Sequence, residues 1–255
     1  MPLQVKQFPC LMDNYGFLVR DEATKKVAAI DTPEAEKINE ALEEAGWQLD
    51  LILNTHHHWD HTGGNIALKE KWNCKIIGPR SEADKIPGID QAVSEGEHVS
   101  IGDSKASVFE TPGHTAGHIV FHFKDDGLAF VGDTLFALGC GRLFEGTPQQ
   151  MWQSLLKVRA WPQDTVLYCA HEYTEGNSRF AVSLEPENER LKARAEEIAL
   201  LRSDDTPTVP TTLATECATN PFLRADDPVL RAALHMEAAS DLAVFTEVRQ
   251  RKDNF

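Results

Sequence analysis

The sequence has few of the residues that cross-link a small secreted protein or build a cysteine metal site. Its 255 residues include five cysteines, which are Cys10, Cys74, Cys140, Cys169 and Cys217. Their number is odd, their spacing is wide and no C-x-x-C pair occurs, so neither a disulfide framework nor a cysteine zinc site is indicated. We therefore expect the chain to fold without disulfides in a reducing compartment.

Long apolar runs and an excess of positive charge are also lacking. No apolar run approaches the roughly 20 residues that span a bilayer, and residues 1–6 do not have the pattern of a secretory leader. The chain has 25 Lys and Arg against 40 Asp and Glu, a formal net charge of -15. Such a charge repels nucleic-acid phosphates and anionic membrane surfaces. We expect a cytoplasmic monomer that binds neither nucleic acid nor membrane.

Strand-like and helical patterns alternate over the first two-thirds of the chain. Apolar runs bounded by turn residues predict strands at 16–19, 27–30, 51–53, 74–77, 106–109, 119–123, 128–131 and 166–169. Apolar residues at three- and four-residue spacing predict helices at 34–45, 66–72 and 148–156, the first capped by Asp31-Thr32-Pro33. After residue 174 the pattern is helical, at about 187–201, 228–237 and 241–251. We expect a layered α/β domain at 1–174 and a smaller helical domain at 175–255.

The densest polar motif follows the predicted strand at 51–53. Positions 56–61 contain four imidazoles and one carboxylate, which are the nitrogen and oxygen donors that divalent cations accept. Three other apolar runs end in a donor of the same kind, namely His114, Asp133 and His171. Because open α/β sheets place ligands at the carboxyl ends of their strands, we expect these side chains to lie together.

The number of donors indicates more than one metal ion. The seven donors are His56, His58, Asp60, His61, His114, Asp133 and His171. A structural zinc site is closed by four ligands, whereas seven donors with one bridging carboxylate fill two ions and leave room for water. We expect two divalent ions per chain, with zinc first and iron or manganese as alternatives. For His57 we expect a packing or outer role, and for His118 either contact with a ligand or strand packing.

Residues 55–61 resemble the T-H-x-H-x-D-H signature of the metallo-β-lactamase superfamily, with His57 and Trp59 at the variable positions. The resemblance implies an α/β fold, a four-layer αβ/βα sandwich of two mixed sheets, here with a smaller C-terminal α-helical domain. It also implies a ligand assignment. His56, His58 and His114 would bind the first ion, Asp60, His61 and His171 the second, and Asp133 both.

Residues 132–136, 139–147 and 171–174 look like the glyoxalase II family within that superfamily. Residues 220–224 and 249–255 are similar to the helical domain with which the family holds glutathione. The resemblance implies hydrolysis of S-2-hydroxyacyl-glutathione thioesters, chiefly S-D-lactoylglutathione to D-lactate and glutathione. The nucleophile would be a metal-bridging hydroxide held by Asp60 and Asp133, since water bound to divalent ions can fall in pKa from about 16 to roughly 7.

The same resemblance implies the contacts to glutathione, which are Arg142, Phe144, Tyr173, Arg249 and Lys252. Arg142 stands where some members carry lysine, and Phe144 where some carry a tyrosine whose hydroxyl reaches glutathione. Phe144 can pack but cannot donate that hydrogen bond. For the basic C-terminus, a solvated helix tail is the alternative. Persulfide oxygenation and lactone hydrolysis are the alternative activities within the superfamily.

Overall fold

The computed structural model describes residues 3–255. Met1 and Pro2, the first two residues of the 1–6 segment predicted not to be a secretory leader, lie outside the described residues. The chain forms two compact units. The first unit comprises the chain up to Glu110 together with Ala116–Gly132, and the second comprises Thr111–Thr115 and Asp133–Phe255. The predicted division at residue 174 follows the sequence pattern and stays a prediction.

One six-stranded mixed sheet belongs to the first unit. Its strands, in spatial order, are β1 (Leu3–Cys10), β2 (Asn14–Asp21), β3 (Val27–Ile30), β4 (Leu51–Leu53), β5 (Lys75–Pro79) and β6 (Gln91–Val93). The first three are antiparallel, and β3 to β6 run parallel. Helices α1 (Ala35–Ala45) and α3 (Asn65–Trp72) cover it, burying Ile38, Leu42 and Leu68 in one apolar cluster with Ile52 and Ile76. Such burial is the main favourable contribution to folding.

The remaining strands of the first unit are antiparallel. They are β7 (His98–Ile101), β8 (Ser104–Glu110), β9 (Ile119–Phe123) and β10 (Leu128–Gly132), paired in that order. Phe17 of β2 packs edge-on against Phe130 of β10, with ring centroids 5.5 Å apart. The four strands β7 to β10 therefore face the mixed sheet across an aromatic contact, as in a sandwich.

Most of the second unit is helical. It contains the hairpin β11 (Leu135–Phe136) and β12 (Gly139–Cys140), the pair β13 (Val166–Cys169) and β14 (Thr211–Thr212), and helices α4 (Pro148–Arg159), α5 (Thr174–Leu184), α6 (Glu189–Ser203), α7 (Leu213–Thr219), α8 (Pro228–Leu234) and α9 (Asp241–Asp253). Phe222 packs between Phe180 and Phe245, at centroid distances of 6.1 Å to each. Trp152 of α4 lies 5.7 Å from Phe245 of α9. These rings form an aromatic core between helices α4, α5 and α9.

The eight predicted strands and six predicted helices all have counterparts, but the start of α1 was predicted wrongly. Its N-cap is Glu34, and the Asp31 carboxylate instead accepts from the Thr55 backbone N–H and contacts the His61 ring. Helix α8 ends at Leu234, three residues early, because His235 adopts a left-handed φ of 58°. Strands β1, β6, β7, β11, β12 and β14 and helices α2 (Trp59–Thr62), α5 and α7 were missed. In residues 3–255 no helix is long and apolar enough to cross a membrane.

Candidate metal centre

The first unit presents four of the predicted donors on the segment that follows β4. Asn54, the first residue after β4, donates its side-chain amide to the backbone carbonyl of His61 at 2.9 Å. This bond folds the segment back on itself, through the short helix α2 (Trp59–Thr62). His56 and His61 are buried, and their ring centroids lie 4.1 Å apart.

Ring nitrogens and a carboxylate oxygen meet at short distances within this segment. Nε2 of His56 lies 3.0 Å from Nδ1 of His58, and Nε2 of His61 lies 3.5 Å from Oδ2 of Asp60. Asn14, at the start of β2, donates its side-chain amide to Oδ2 of Asp60 at 3.2 Å. Asn14 therefore fixes the orientation of a predicted ligand.

Asp31 holds the far side of the same segment. It follows β3 with a left-handed φ of 55°, a conformation that aspartate tolerates better than most residues. One carboxylate oxygen accepts from the Thr55 backbone N–H at 2.8 Å, and the other accepts from the Thr55 hydroxyl and contacts Nδ1 of His61, both at 2.8 Å. With its Nδ1 proton held by a carboxylate, His61 presents the lone pair of Nε2 toward Asp60.

Two histidines that were not predicted to be ligands, His57 and His118, lie around this segment. The His57 ring and its backbone N–H both contact the buried carboxylate of Glu82, at 2.8 and 2.9 Å. His57 thus has the outer role that the sequence favoured. His118 stacks on the ring of His56, with centroids 4.8 Å apart, so it contacts a predicted ligand.

The second unit brings its three predicted donors together. Asp133 uses its two carboxylate oxygens separately: Oδ2 lies 3.3 Å from Nε2 of His114, and Oδ1 lies 3.4 Å from Nε2 of His171. All three side chains are buried. A carboxylate with each oxygen facing a different imidazole has the arrangement of a bridging ligand.

His114 is oriented by the backbone, as His61 is by Asp31. Its Nδ1 lies 2.9 Å from the carbonyl oxygen of Arg142, so Nδ1–H donates there and Nε2 is directed to Asp133. The close approach requires glycine at position 141. A Cβ there would lie 2.1 Å from the Asp133 carbonyl oxygen and 3.0 Å from Nδ1 of His114.

These four distances suit metal coordination. Two nitrogen or oxygen atoms that each lie about 2.1 Å from one ion at a tetrahedral angle are separated by about 3.4 Å. The four donor pairs above are separated by 3.0 to 3.5 Å. The nitrogens face one another or a carboxylate, and the opposite nitrogens of His61 and His114 are held by hydrogen-bond acceptors. The residues present therefore fit divalent ions.

The predicted glutathione contacts lie in the second unit. The Tyr173 ring stacks parallel to that of His171 at 4.7 Å, and the exposed Phe144 ring lies 5.2 Å from His114. Arg142 is exposed. Arg249 is buried, donating to the Cys140 carbonyl oxygen at 3.0 Å and pairing with Asp253 at 2.7 Å. The structure thus places Tyr173 and Phe144 against predicted ligands.

Burial lowers the pKa of the half-buried Lys252 from 10.5 to about 8, helped by the cations Arg249, Arg142 and Arg179 and opposed by Asp253. Its ammonium group lies over the rings of Phe180 and Phe255 at 5.2 and 5.4 Å and donates to the Gly176 carbonyl oxygen at 3.2 Å. Several positive charges therefore gather on an acidic protein, which suits an anionic ligand.

Sequence reasoning missed Asp31, Asn14 and Glu82. A signal for Asp31 was present, because it ends the apolar run of β3 as Asn54 ends that of β4. The run Asp31-Thr32-Pro33 also fits a helix cap, so the sequence predicted a capping role for Asp31 and not its contact with His61. Asn14 and Glu82 carry no local signal, since their roles depend on contacts across 46 and 25 positions of the chain.

We expect Asp31→Asn to reduce metal affinity by about 10- to 100-fold, the usual effect of losing an orienting partner. An amide that donates to Nδ1 of His61 would move the ring proton to Nε2, the nitrogen that faces Asp60. Asparagine also tolerates the left-handed φ, so backbone strain does not confound the result. Metal content after dialysis against graded chelator measures the effect.

Asp90→Asn is the matched control, because Asp90 supports the backbone of β5 by accepting from the Ile76 N–H at 2.9 Å. It should retain metal as the unsubstituted protein does. Equal metal loss in both variants would show that Asp31 acts only on the fold.

Comparison with known proteins agrees with the fold. The family model for the metallo-beta-lactamase superfamily matches residues 22–171. The crystal structure of ETHE1 from Myxococcus xanthus superposes with a TM-score of 0.69 at 24% identity, covering 97% of this chain and 90% of that one. Fold and donor set together define a protein of the metallo-β-lactamase superfamily.

The full-length matches are more specific. A family model described as the hydroxyacylglutathione hydrolase C-terminus matches residues 172–255. The hydroxyacylglutathione hydrolase of Maricaulis maris is 54% identical over 99% of both chains, and that of Chelativorans sp. is 55% identical over the whole of both. The chain belongs to the hydroxyacylglutathione hydrolase family. The predicted fold class and family resemblance are thereby confirmed.

Proposed function

We propose that this protein hydrolyses S-2-hydroxyacyl-glutathione thioesters, chiefly S-D-lactoylglutathione, to D-lactate and glutathione. The observation that carries the proposal is the match of residues 172–255 to the C-terminus of hydroxyacylglutathione hydrolases, in a chain that also carries the donor set. A lactonase or β-lactamase would have no need of that segment. The likeness to ETHE1, at 24% identity, concerns the fold alone and supports no particular activity.

The donors divide between two ions in this proposal. His56, His58 and His114 hold one, Asp60, His61 and His171 hold the other, and Asp133 binds both. The separate use of the two Asp133 oxygens supports the bridging role. Nitrogen and oxygen donors without thiolate suit zinc, iron and manganese, and we propose zinc as the first of these.

When bound, the ions would lower the pKa of coordinated water to near neutrality and stabilise negative charge on the thioester oxygen. The chain's own residues prepare this chemistry. Asp31 and the Arg142 carbonyl keep the Nδ1 protons of His61 and His114 in place, and Asn14 holds the Asp60 carboxylate. Asp60 and Asp133 would hold the nucleophile, which is the coordinated water. In the overall reaction water cleaves the carbon–sulfur bond: the acyl carbon gains the hydroxyl group, glutathione leaves as a thiolate, and the remaining proton of water passes to the solvent.

The glutathione part would be held by Arg142, Phe144, Tyr173, Arg249 and Lys252. Charge supports this assignment, because glutathione is anionic and the protein is strongly acidic apart from this group of cations. Tyr173 and Phe144 lie beside His171 and His114, where a ligand passing from the cations toward the donors would meet them. Phe144 would contribute packing alone. We further propose that residues 175–255 form the glutathione-binding domain and that the protein acts as a cytoplasmic monomer without nucleic-acid or membrane partners.

We expect the KM for S-D-lactoylglutathione to rise about tenfold as the pH passes above 8, since a hydrogen bond to a charged group contributes about 1.5–3 kcal/mol. The pKa of Lys252 in the folded protein is about 8, against 10.5 ordinarily, so its charge is lost over this range. Steady-state kinetics between pH 7 and 9.5 measure the change, and kcat should vary little with this residue.

Lys252→Arg provides the control, because guanidinium stays charged throughout this range. The KM of this variant should remain constant up to pH 9.5, whereas an identical rise in both proteins would assign the effect to another group.

The effect of Lys252 on stability has the opposite sense: substrate binding weakens as the pH rises, whereas the folded state becomes more stable. Between pH 8 and 10.5 the folded state binds fewer protons at this site than the unfolded state, so this residue makes the free energy of unfolding increase with pH.

The function is tested by the loss of thioester absorbance when the metal-loaded protein is added to S-D-lactoylglutathione. A chelated sample and a simple acyl thioester serve as controls. Rapid, chelator-sensitive hydrolysis that prefers the glutathione thioester is the expected result. A metal-loaded protein that leaves this thioester intact would contradict the proposal and direct the search to persulfides and lactones.

A further inference from the structure

The hairpin β11–β12 lies in the chain between Asp133 and Arg142, and its turn has an unfavourable backbone. Leu135 pairs with Cys140 and Phe136 with Gly139, which leaves Ala137 and Leu138 as the turn. Leu138 has a φ of 57°, in the left-handed region that leucine rarely adopts. Two-residue hairpins that match the strand twist need positive φ at the first turn position, whereas here it falls on the second. The hairpin therefore needs support from outside itself.

Three buried side chains from residues 175–255 supply that support. The Asn177 amide donates to the Ala137 carbonyl oxygen at 3.0 Å. The Asn220 amide donates to the carbonyl oxygens of Phe136 and Gly139 at 3.1 and 3.0 Å. The Glu216 carboxylate accepts from the Leu138 N–H at 2.8 Å. Backbone groups of all four central residues of the hairpin are thus bound by side chains from elsewhere in the second unit.

Glu216 connects these contacts. It is fully buried, and the oxygen that accepts from Leu138 also accepts from the Asn220 amide at 3.0 Å. The other oxygen accepts from the Arg194 guanidinium and from the Thr211 hydroxyl, the latter at 2.8 Å. Buried ion pairs often contribute little net stability, because desolvation offsets the attraction. The main consequence of this pair is the position of the carboxylate.

The supported hairpin adjoins the three donors of the second unit. Phe136 packs edge-on against the ring of His171, with centroids 5.8 Å apart at 88°. Two residues beyond the hairpin, the Arg142 carbonyl oxygen accepts a hydrogen bond from Nδ1–H of His114 at 2.9 Å. Asp133 precedes the hairpin by two residues. A displacement of the hairpin would therefore move His171, which Phe136 contacts directly, and would move His114 through its hydrogen bond to the Arg142 carbonyl oxygen.

We propose that Glu216 is a positioning residue for the metal centre. By fixing the turn of the hairpin, it holds Phe136 against His171 and the Arg142 carbonyl oxygen on His114. The inference rests on the proposed binuclear centre. In this proposal residues 175–255 have two roles, which are to hold glutathione and to orient metal ligands.

The test compares Glu216→Gln with Glu185→Gln. In Glu216→Gln, an amide nitrogen replaces one acceptor and opposes the donors of Arg194 or Leu138. Glu185 is a matched control, since its carboxylate is as deeply buried and pairs with Arg224 in the same unit, with Asn188 as its other contact. Both variants should lower the melting temperature. Glu216→Gln alone should speed metal loss to a chelator about tenfold and shift the visible absorption of the cobalt-substituted protein.

We also expect kcat to fall in Glu216→Gln with little change in KM. Equal metal-loss rates and unshifted spectra in both variants would overturn the proposal. If Glu216→Gln does not fold, Asn177→Ala removes a single hydrogen bond to Ala137 and should change the same readouts in the same direction; wild-type values there would equally overturn it. Metal content and activity of the unsubstituted protein are measured alongside. A wild-type protein without metal would contradict the proposed function itself.

Discussion

We expect removal of the metal ions to abolish thioester hydrolysis and to lower the melting temperature by about 10 °C. Activity should be lost because, without the ions that we propose Asp60 and Asp133 to hold, no group would make water nucleophilic at neutral pH. Stability should fall because the proposed ions would bind the folded state and not the unfolded chain. Ligand at 100 to 1,000 times its dissociation constant contributes about 3–4 kcal/mol, and each 1 kcal/mol shifts the melting temperature of a chain of this size by about 2–4 °C.

The measurement pairs activity with thermal unfolding before and after chelation, once the chelator has been dialysed away. Returning zinc, iron or manganese separately should restore both readouts and rank the metals. If activity survives in protein shown to be free of metal, the hydrolysis does not depend on the centre. If only the melting temperature recovers, the ions are structural.

We expect Asp133→Asn to lower kcat/KM by about a thousandfold, which corresponds to about 4 kcal/mol of lost transition-state stabilisation. The two Asp133 oxygens face His114 and His171 separately, and an asparagine keeps an oxygen on one side only. Its amide nitrogen on the other side cannot bind a cation. We therefore expect one ion per chain instead of two, with the fold retained.

Asp226→Asn is the control for this substitution. Asp226 belongs to the same unit and pairs with Arg159 at 2.7 Å, an interaction with a half-exposed partner that contributes about 0–1 kcal/mol. Metal content by mass spectrometry and kinetics on S-D-lactoylglutathione should be normal in this variant. Two tightly bound ions and wild-type kcat/KM in Asp133→Asn would contradict the bridging role.

Much of the fold could be predicted, because the signals are local. The runs that became β3, β4, β9 and β10 are short, apolar and bounded by turn residues, and the helices show regular apolar spacing. Strand β1 was missed because Leu3–Cys10 mixes polar and apolar residues, and its burial is likewise mixed, from buried ends to exposed and half-buried residues between them. Helix α5 was missed because Thr174–Leu184 starts directly after a predicted site residue, Tyr173, in a stretch rich in small and polar side chains.

The types of the donors were determined by the sequence itself. Imidazoles and carboxylates at strand ends have few uses other than metal binding, and their order along the chain matches one family's signature. For the same reason the resemblance led to the family that the full-length relatives confirm. Such information is carried by side-chain chemistry and spacing, which do not depend on the packing of the chain.

Only the tertiary structure decided how the donors are oriented. Asp31 contacts His61 across 30 positions, the Arg142 carbonyl meets His114 across 28, and Glu216 reaches the Leu138 N–H across 78. A hydrogen bond depends on distance and direction in space, and neither is encoded by residue type at one position. The sequence therefore determined which side chains could serve as metal donors, and the folded chain determined which nitrogen of His61 and of His114 is directed toward the other donors.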